Sequence, residues 1–440
     1  MKQELYDLAN WAISAAKSAG ADASRASINA ERLVEISYRD RKPENIKEAS
    51  TKSLGIEIFV NGRYSQQSTS DLRKDSLKTF ITNAVATTKL LAEDPFRTLP
   101  DPKYYQGRAT ADLGIKDPAY SALTQEARHA FARSIEDACL AKGGDKVISV
   151  TAGWNDGYSE AASVSSNGFD GYSESTYFVG SAEMTARDEG DRRPQEYAYA
   201  VTTRRGALPK PESIGAEAAE RTLGLLGQKK LKTETLPIII ENRVVGRFGG
   251  GFLQAMFGRG IQQKQSFLAD KKGQKIASPV FTLIDDPFIP GALGSRLFDG
   301  DGFAARKRTM IDAGVLKEFY IDWYYSRKLG WEPTTGSPSN LIVPPGKRSV
   351  LEIMKDLGRG ILITGFIGGN SNSTTGDTSI GIVGKLFENG ELTQAVSEMN
   401  IADNHLKIWQ RLAEAANDPY PYSQERVPSL VFTDVVVSGI

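Results

Sequence analysis

Between Pro237 and Gly260 the chain runs P-I-I-I-E-N-R-V-V-G-R-F-G-G-G-F-L-Q-A-M-F-G-R-G. Ile238 to Ile240 form a short apolar run, the pattern of a buried strand. Glycines stand at 246, 249, 250 and 251, and Phe248, Phe252 and Met256 recur every four residues with Leu253 and Phe257 beside them. That spacing lays an apolar stripe along one face of a helix. A strand, a glycine turn and a helix can present backbone N–H groups to a ligand. The same glycines can equally serve to let the helix pack closely on a sheet. From Asn242 to Ala269 there is no Asp, Glu, His or Cys. The element therefore supplies no metal ligand, general base or thiol of its own.

Nucleotide chemistry is excluded by spacing, because neither G-x-G-x-x-G nor G-K-[ST] accompanies the glycines. No G-x-S-x-G elbow occurs, which argues against a serine hydrolase of the α/β type. Lys plus Arg and Asp plus Glu number 54 each, so no overall field draws the chain to nucleic acid or an acidic membrane. Cys139 is the only cysteine, which rules out disulfides within the chain and cysteine-rich zinc sites. The opening residues M-K-Q-E-L-Y-D-L lack an apolar signal core, and no run is long enough to span a membrane. A cytoplasmic location is the expectation.

Only two histidines are present. His129 falls in a helical pattern whose buried face is marked by Leu123, Ala127, Phe131 and Ile135. Its own side carries Glu126, Arg133 and Glu136, which predicts a solvated surface histidine. His405 follows Asn404, a suitable N-cap, with Trp409 and Leu412 at helical spacing, which predicts partial packing. Cys139 lies on the apolar side of the His129 helix and reads as core.

A chain of 440 residues is long for one core. Residues 3–18 have helical periodicity, and Ser24 to Tyr38 and Gly55 to Val60 have strand character. Asn61-Gly62 supplies a hairpin turn into Arg63 to Ser68. Helical spacing returns over Asp71 to Leu91, and the proline-bearing residues 94–122 read as a surface connection. After the His129 helix, strands are predicted over Val147 to Trp154, Ala162 to Ser166, Gly171 to Ala186 and Glu196 to Thr203. A helix covers Ile214 to Leu226. The polar stretch Lys229 to Thr235 divides an N-terminal domain, residues 1–230, from a C-terminal domain, residues 231–440. In the second half, strands are predicted over Val280 to Ile284, Gly360 to Ile367 and Ser429 to Val437. Hairpins are predicted over Arg308 to Tyr320 and Lys385 to Val396, and helices over Ser349 to Leu357 and Leu406 to Ala416. Helices and hairpins in blocks, without steady β-α-β alternation, specify an α+β protein of two domains, with mixed or antiparallel sheets and helices packed on them.

Two polar stretches are candidates for function. Gly368 to Gly384 is rich in Gly, Ser, Thr and Asn. It reads either as a loop presenting backbone groups and hydroxyls to a ligand or as a long turn that needs positive φ. The pairs Asp285-Asp286 and Asp299/Asp301 can ligate a hard cation or can be ordinary loop residues beside Pro and Gly.

Several short pieces, weak singly, occur in an order that resembles the TldD/PmbA family, once labelled modulators of DNA gyrase. They include Gly55-Ile56 to Gly62-Arg63, Ser166-Asn167-Gly168, Phe298-Asp299 to Gly302, Asp312-Ala313-Gly314-Val315-Leu316, Gly376-Asp377 with Ser379, Glu388-Asn389-Gly390 and Ile401-Ala402-Asp403-Asn404. Members of the TldD branch carry H-E-x-x-x-H on the helix after the strand, and a late cysteine. Here that helix reads F-G-G-G-F-L-Q-A-M-F, and the tail around Pro421-Tyr422-Ser423 has no cysteine. The sequence thus resembles the PmbA, or TldE, branch. The resemblance implies a subunit with no metal or cofactor of its own and no catalytic residue. Its partner would be a TldD-type metalloprotease subunit holding zinc, and its substrate a peptide or unfolded polypeptide. Substrate-binding residues are expected at Gly376, Asp377, Ser379, Gly249 and Gly250. No nucleic acid or membrane partner is expected, and a homodimer is left open for the chain when alone. The rival reading is a self-associated peptide-binding or regulatory protein without protease activity.

Overall fold

The computed structural model describes residues 2–440. The first half runs α1 (Lys2–Ser18), β1 (Ala23–Arg39), β2 (Lys42–Val60), β3 (Arg63–Thr69), α2 (Lys74–Thr88), α3 (Gln125–Gly143), β4 (Val147–Ser165), β5 (Asp170–Ala186), β6 (Gln195–Thr202) and α4 (Pro211–Leu223). Its strands make one antiparallel sheet in the order β3-β2-β1-β4-β5-β6. Alternation decides which face is covered. Ala26, Ile28, Val34 and Ile36 of β1 are buried on one side, as the two-residue period requires. Helices α1 and α2 pack against one end of that face, and α3 and α4 against the other.

The second half contains β7 (Glu234–Ile240), α5 (Val245–Gln254), α6 (Gly258–Gln262), β8 (Leu283–Asp286), β9 (Arg308–Asp312), β10 (Val315–Leu316), α7 (Trp323–Leu329), β11 (Asn340–Ile342), α8 (Val350–Leu357), β12 (Arg359–Ser371), β13 (Asp377–Glu388), β14 (Glu391–Asn404), α9 (His405–Ile408), β15 (Leu412–Ala415), β16 (Glu425–Arg426) and β17 (Leu430–Val437). A mixed six-stranded sheet has the order β14-β13-β12-β7-β17-β15, with β7 parallel to β12 and antiparallel to β17. A smaller sheet has the order β10-β9-β8-β11-β16. The isoleucine run belongs to an interior strand covered on both faces. Ile238 and Ile240 meet the core that contains Phe248 and Phe252 of α5, while Ile239 packs on Ile353 and Met354 of α8. The α+β class, with antiparallel and mixed sheets carrying helices, is the one the block pattern predicts.

Three local expectations are corrected. Gly368 to Gly384 is not an open loop but most of a hairpin, with Asn370 opposite Ser379 and Ser371 opposite Thr378. Only residues 372–376 turn, and Gly376 sits there at φ 83°. Pairing of β13 to neighbours on both sides overrides its low strand propensity. The helix expected over Leu406 to Ala416 ends at Ile408, and after a 3-10 turn Leu412–Ala415 pairs with β17. Finally, the wet face assigned to α3 is partly buried. Glu136 is 1% exposed and accepts from Arg41 N, while half-buried His129 bonds Tyr38 through Nδ1 at 2.9 Å.

Candidate functional site

The connection from β7 to α5 is fixed by polar contacts from three directions. Glu241 accepts two bonds from Arg221 of α4, both 2.8 Å. The Asn242 side-chain amide donates to Asp418 O at 2.6 Å, and Asn242 N donates to Ser429 Oγ. Arg243 pairs with Glu217 and lies over the rings of Tyr197, Tyr199 and Tyr420. The Tyr420 hydroxyl donates to Tyr199 O on β6 at 2.7 Å. The C-terminal tail is thereby brought against the start of α5, although the two are far apart in sequence.

Helix α5 buries Val245, Phe248 and Phe252. Phe248 and Phe252 surround Trp409, with ring centroids 5.8 and 5.2 Å away. One flank of the helix, at Gly246, Gly249 and Leu253, borders an apolar cavity of about 50 Å3. Its floor includes the buried residues Phe252, Phe281 and Trp409, and Glu425 stands in its wall. A β-carbon on Gly246 would lie 1.8 Å from Glu425 Oε2, so the carboxylate rests directly on that glycine. Among the described residues no donor reaches the Glu425 carboxylate. Burial, with nothing to oppose it, pushes its pKa above the usual carboxylate range.

The other flank of α5 meets the β12–β13 hairpin. Arg247 donates to Gly368 O at 2.9 Å. Gly251 faces Ser371 Oγ and His405 Nε2, which lie 3.1 Å apart. His405 is 1% exposed and stacks on Phe267 at an interplanar angle of 8°. Burial pulls its pKa down to about 4, and its Nδ1 has no partner among the described residues. A histidine that stays neutral with no acid to orient it is a poor base for Ser371.

The five residues singled out in the sequence fall in different places. Gly249 borders the cavity, whereas a β-carbon placed on Gly250 would meet nothing within 4 Å. Gly376, Asp377 and Ser379 belong to the hairpin on the opposite flank. Gly376 O accepts from His405 N. Asp377 accepts from Thr375 Oγ1 at 2.7 Å and from Asn404 Nδ2 at 2.9 Å, bonds that lower its pKa. Ser379 Oγ accepts from Asn400. Glu425 was not legible as a site residue, since its contact with Gly246 is entirely long-range.

Two family models match the chain. The PmbA/TldA metallopeptidase central domain covers residues 119–226, and the PmbA/TldA metallopeptidase C-terminal domain covers residues 233–439. The chain belongs to the PmbA/TldD family. It is similar to the metalloprotease PmbA of Escherichia coli O157:H7, with 29% identity over 92% of this chain and 90% of that protein. A solved Bacteroides thetaiotaomicron protein, described as a candidate modulator of DNA gyrase, shares 37% identity and superposes with a TM-score of 0.96 over 99% of both chains. TldE from Thermococcus kodakarensis has the same fold, with a TM-score of 0.87 at 22% identity, covering 98% of this chain and 100% of that one.

The metallopeptidase name implies a metal, and the donor set around α5 does not fit one. His405 is on the hairpin flank and enclosed by rings, while Glu425 is on the cavity flank. Among the described residues no three His, Cys, Asp or Glu side chains gather in a way that could hold an ion. The acidic pairs near 285 and 299 have other contacts. Asp285 accepts from Ser339 N, and Asp299 from the backbone of Asp301 and Phe303. No helix among the described residues is long and apolar enough to cross a membrane.

Proposed function

We propose that this chain is the peptide-holding, metal-free subunit of a cytoplasmic PmbA/TldD-type metallopeptidase, paired with a TldD-type subunit that carries zinc. One observation supports this above the others. The helix and the tail that bear the metal motif and late cysteine in the TldD branch meet here as an apolar cavity with a single carboxylate. Water activation by a metal would take place in the partner, and this chain would help enclose the substrate. Within it, Gly249 keeps the cavity open, while Gly376, Asp377 and Ser379 shape the hairpin that flanks α5. Equal numbers of basic and acidic residues give no support to a nucleic-acid role.

The test is to purify the chain alone and together with a TldD-type subunit, and to measure zinc content and peptide hydrolysis in each. Hydrolysis that needs both chains, with zinc in the partner, is the expected result. Chelator-sensitive hydrolysis by this chain alone, with one tightly held zinc, would overturn the proposal. A stable homodimer that binds peptides but never engages such a partner would favour a self-associated binding protein instead.

A further inference from the structure

The proposed function leaves open which part of a peptide this chain holds. The cavity on α5 narrows the answer. Its floor is closed by buried aromatic and aliphatic side chains, whereas Gly246, Gly249, Leu253 and Glu425 are only half-buried and form its mouth. About 50 Å3 is room for roughly three or four water-sized spheres, which suits a short branched aliphatic group. At the mouth, a carboxylate has neither a donor nor a cation among the described residues. Trp409 closes the floor at 2% exposed, with its indole nitrogen sealed from solvent. A half-buried carboxylate without a partner is uncommon and invites one from outside.

A fitting occupant carries an apolar group and a positive charge a few atoms away. Lysine does not fit, because its charge is at the tip of its stem and would enter the apolar floor. The first residue of a peptide does fit. Its side chain and α-ammonium both branch from one α-carbon. We infer, resting on the peptide-holding reading above, that this cavity is a subsite for the amino-terminal residue of a peptide with an aliphatic side chain. Glu425 takes the α-ammonium, and the space beside Gly249 takes the side chain. No bond is made or broken here; the subsite sets which end of the peptide is anchored.

Calorimetric titration of the full chain tests this with two probes, a hexapeptide amide of leucine followed by five alanines and its N-acetylated form. The free amine is expected to bind at least about tenfold more tightly, the range for a charge-assisted hydrogen bond. Glu425→Gln should abolish that preference. Gly249→Leu fills the cavity from within and should weaken the free-amine peptide at least about tenfold while thermal melts report an intact fold. Equal affinity for the two probes would overturn the subsite while leaving the peptide-holding reading intact. So would a preference that survives Glu425→Gln, or an N-acetylated lysine peptide, run as a third probe, that matches the free amine. If neither probe binds, the subsite falls. If neither binds with a TldD-type partner present either, the peptide-holding reading falls with it.

Discussion

Alanine at each of the three consecutive glycines of α5 should have effects of different sign. All three are interior to a helix spanning Val245–Gln254, where alanine is favoured over glycine by about 1 kcal/mol. At Gly250 a β-carbon meets nothing within 4 Å, so Gly250→Ala should raise stability by about 0.5–1 kcal/mol. At Gly249 the nearest atom is Cζ2 of Trp409 at 3.6 Å, an ordinary contact, and the gain should be similar. At Gly251 the β-carbon would lie 2.2 Å from Ser371 Oγ and 2.8 Å from His405 Nε2. Ser371 is exposed and can rotate away, but His405 Nε2 then loses its partner, at about 1–3 kcal/mol. His405 is also pinned between Gly251 and Phe267, and overpacking costs about 1–3 kcal/mol more. Against a propensity gain of about 1 kcal/mol, Gly251→Ala should lose roughly 1–5 kcal/mol. Urea denaturation of the three variants at one pH, compared by midpoint at constant slope, gives the signs. Gly251→Ala at or above wild-type stability would refute the packing argument, as would a clear loss at Gly250.

Other expectations follow from buried charge. Arg128 and Asp156 form a two-pronged pair with side chains 2% and 0% exposed, and Trp154 also donates to Asp156; Arg128→Ala should destabilise the first sheet by about 3–5 kcal/mol, read from melting curves. The folded state holds His405 neutral down to about pH 4, whereas the unfolded chain takes up that proton near pH 6.5. Stability should therefore fall as pH drops from about 6.5 to about 4, by about 3 kcal/mol, and His405→Phe should remove that part of the profile. Asp301 has the opposite sign. Burial and neighbouring Asp299 raise its pKa to about 7, so its contribution is lost as pH rises from about 4 through 7. Asp301→Asn should accordingly raise the melting temperature at pH 8 and not at pH 4.

Local signals in the sequence hold where the structure satisfies them locally. Asn61-Gly62 turns β2 into β3, and Phe248, Phe252 and Met256 are buried as the four-residue spacing requires. What stayed hidden depends on partners distant in sequence. Glu136 reads as a wet residue until Arg41 N reaches it from the turn between β1 and β2. The glycine- and serine-rich residues after Ile367 look like loop until β12 and β14 pair with them. Leu412–Ala415 continues a helical pattern, yet its hydrogen bonds go to β17. Glu425 lies in a polar tail without periodicity, and only the fold brings it to Gly246.

The glycines of α5 also bear on whether its cavity is a site or a packing defect. Each interior glycine costs a helix about 1 kcal/mol relative to alanine, so each calls for a compensating reason. Gly251 has one in Ser371 and His405, and Gly246 has one in the Glu425 carboxylate lying on it. Nothing in the structure explains Gly250. Gly249 has no close contact to demand glycine, since a β-carbon there would make only an ordinary approach to Trp409. A larger side chain at 249 would strengthen the helix and fill the apolar space, both favourable to folding. Keeping glycine there forgoes that stability and keeps the space open beside a carboxylate with no partner among the described residues. A packing defect has no reason to coincide with an unpartnered carboxylate, whereas a subsite for an ammonium-bearing group requires the open volume and the carboxylate together.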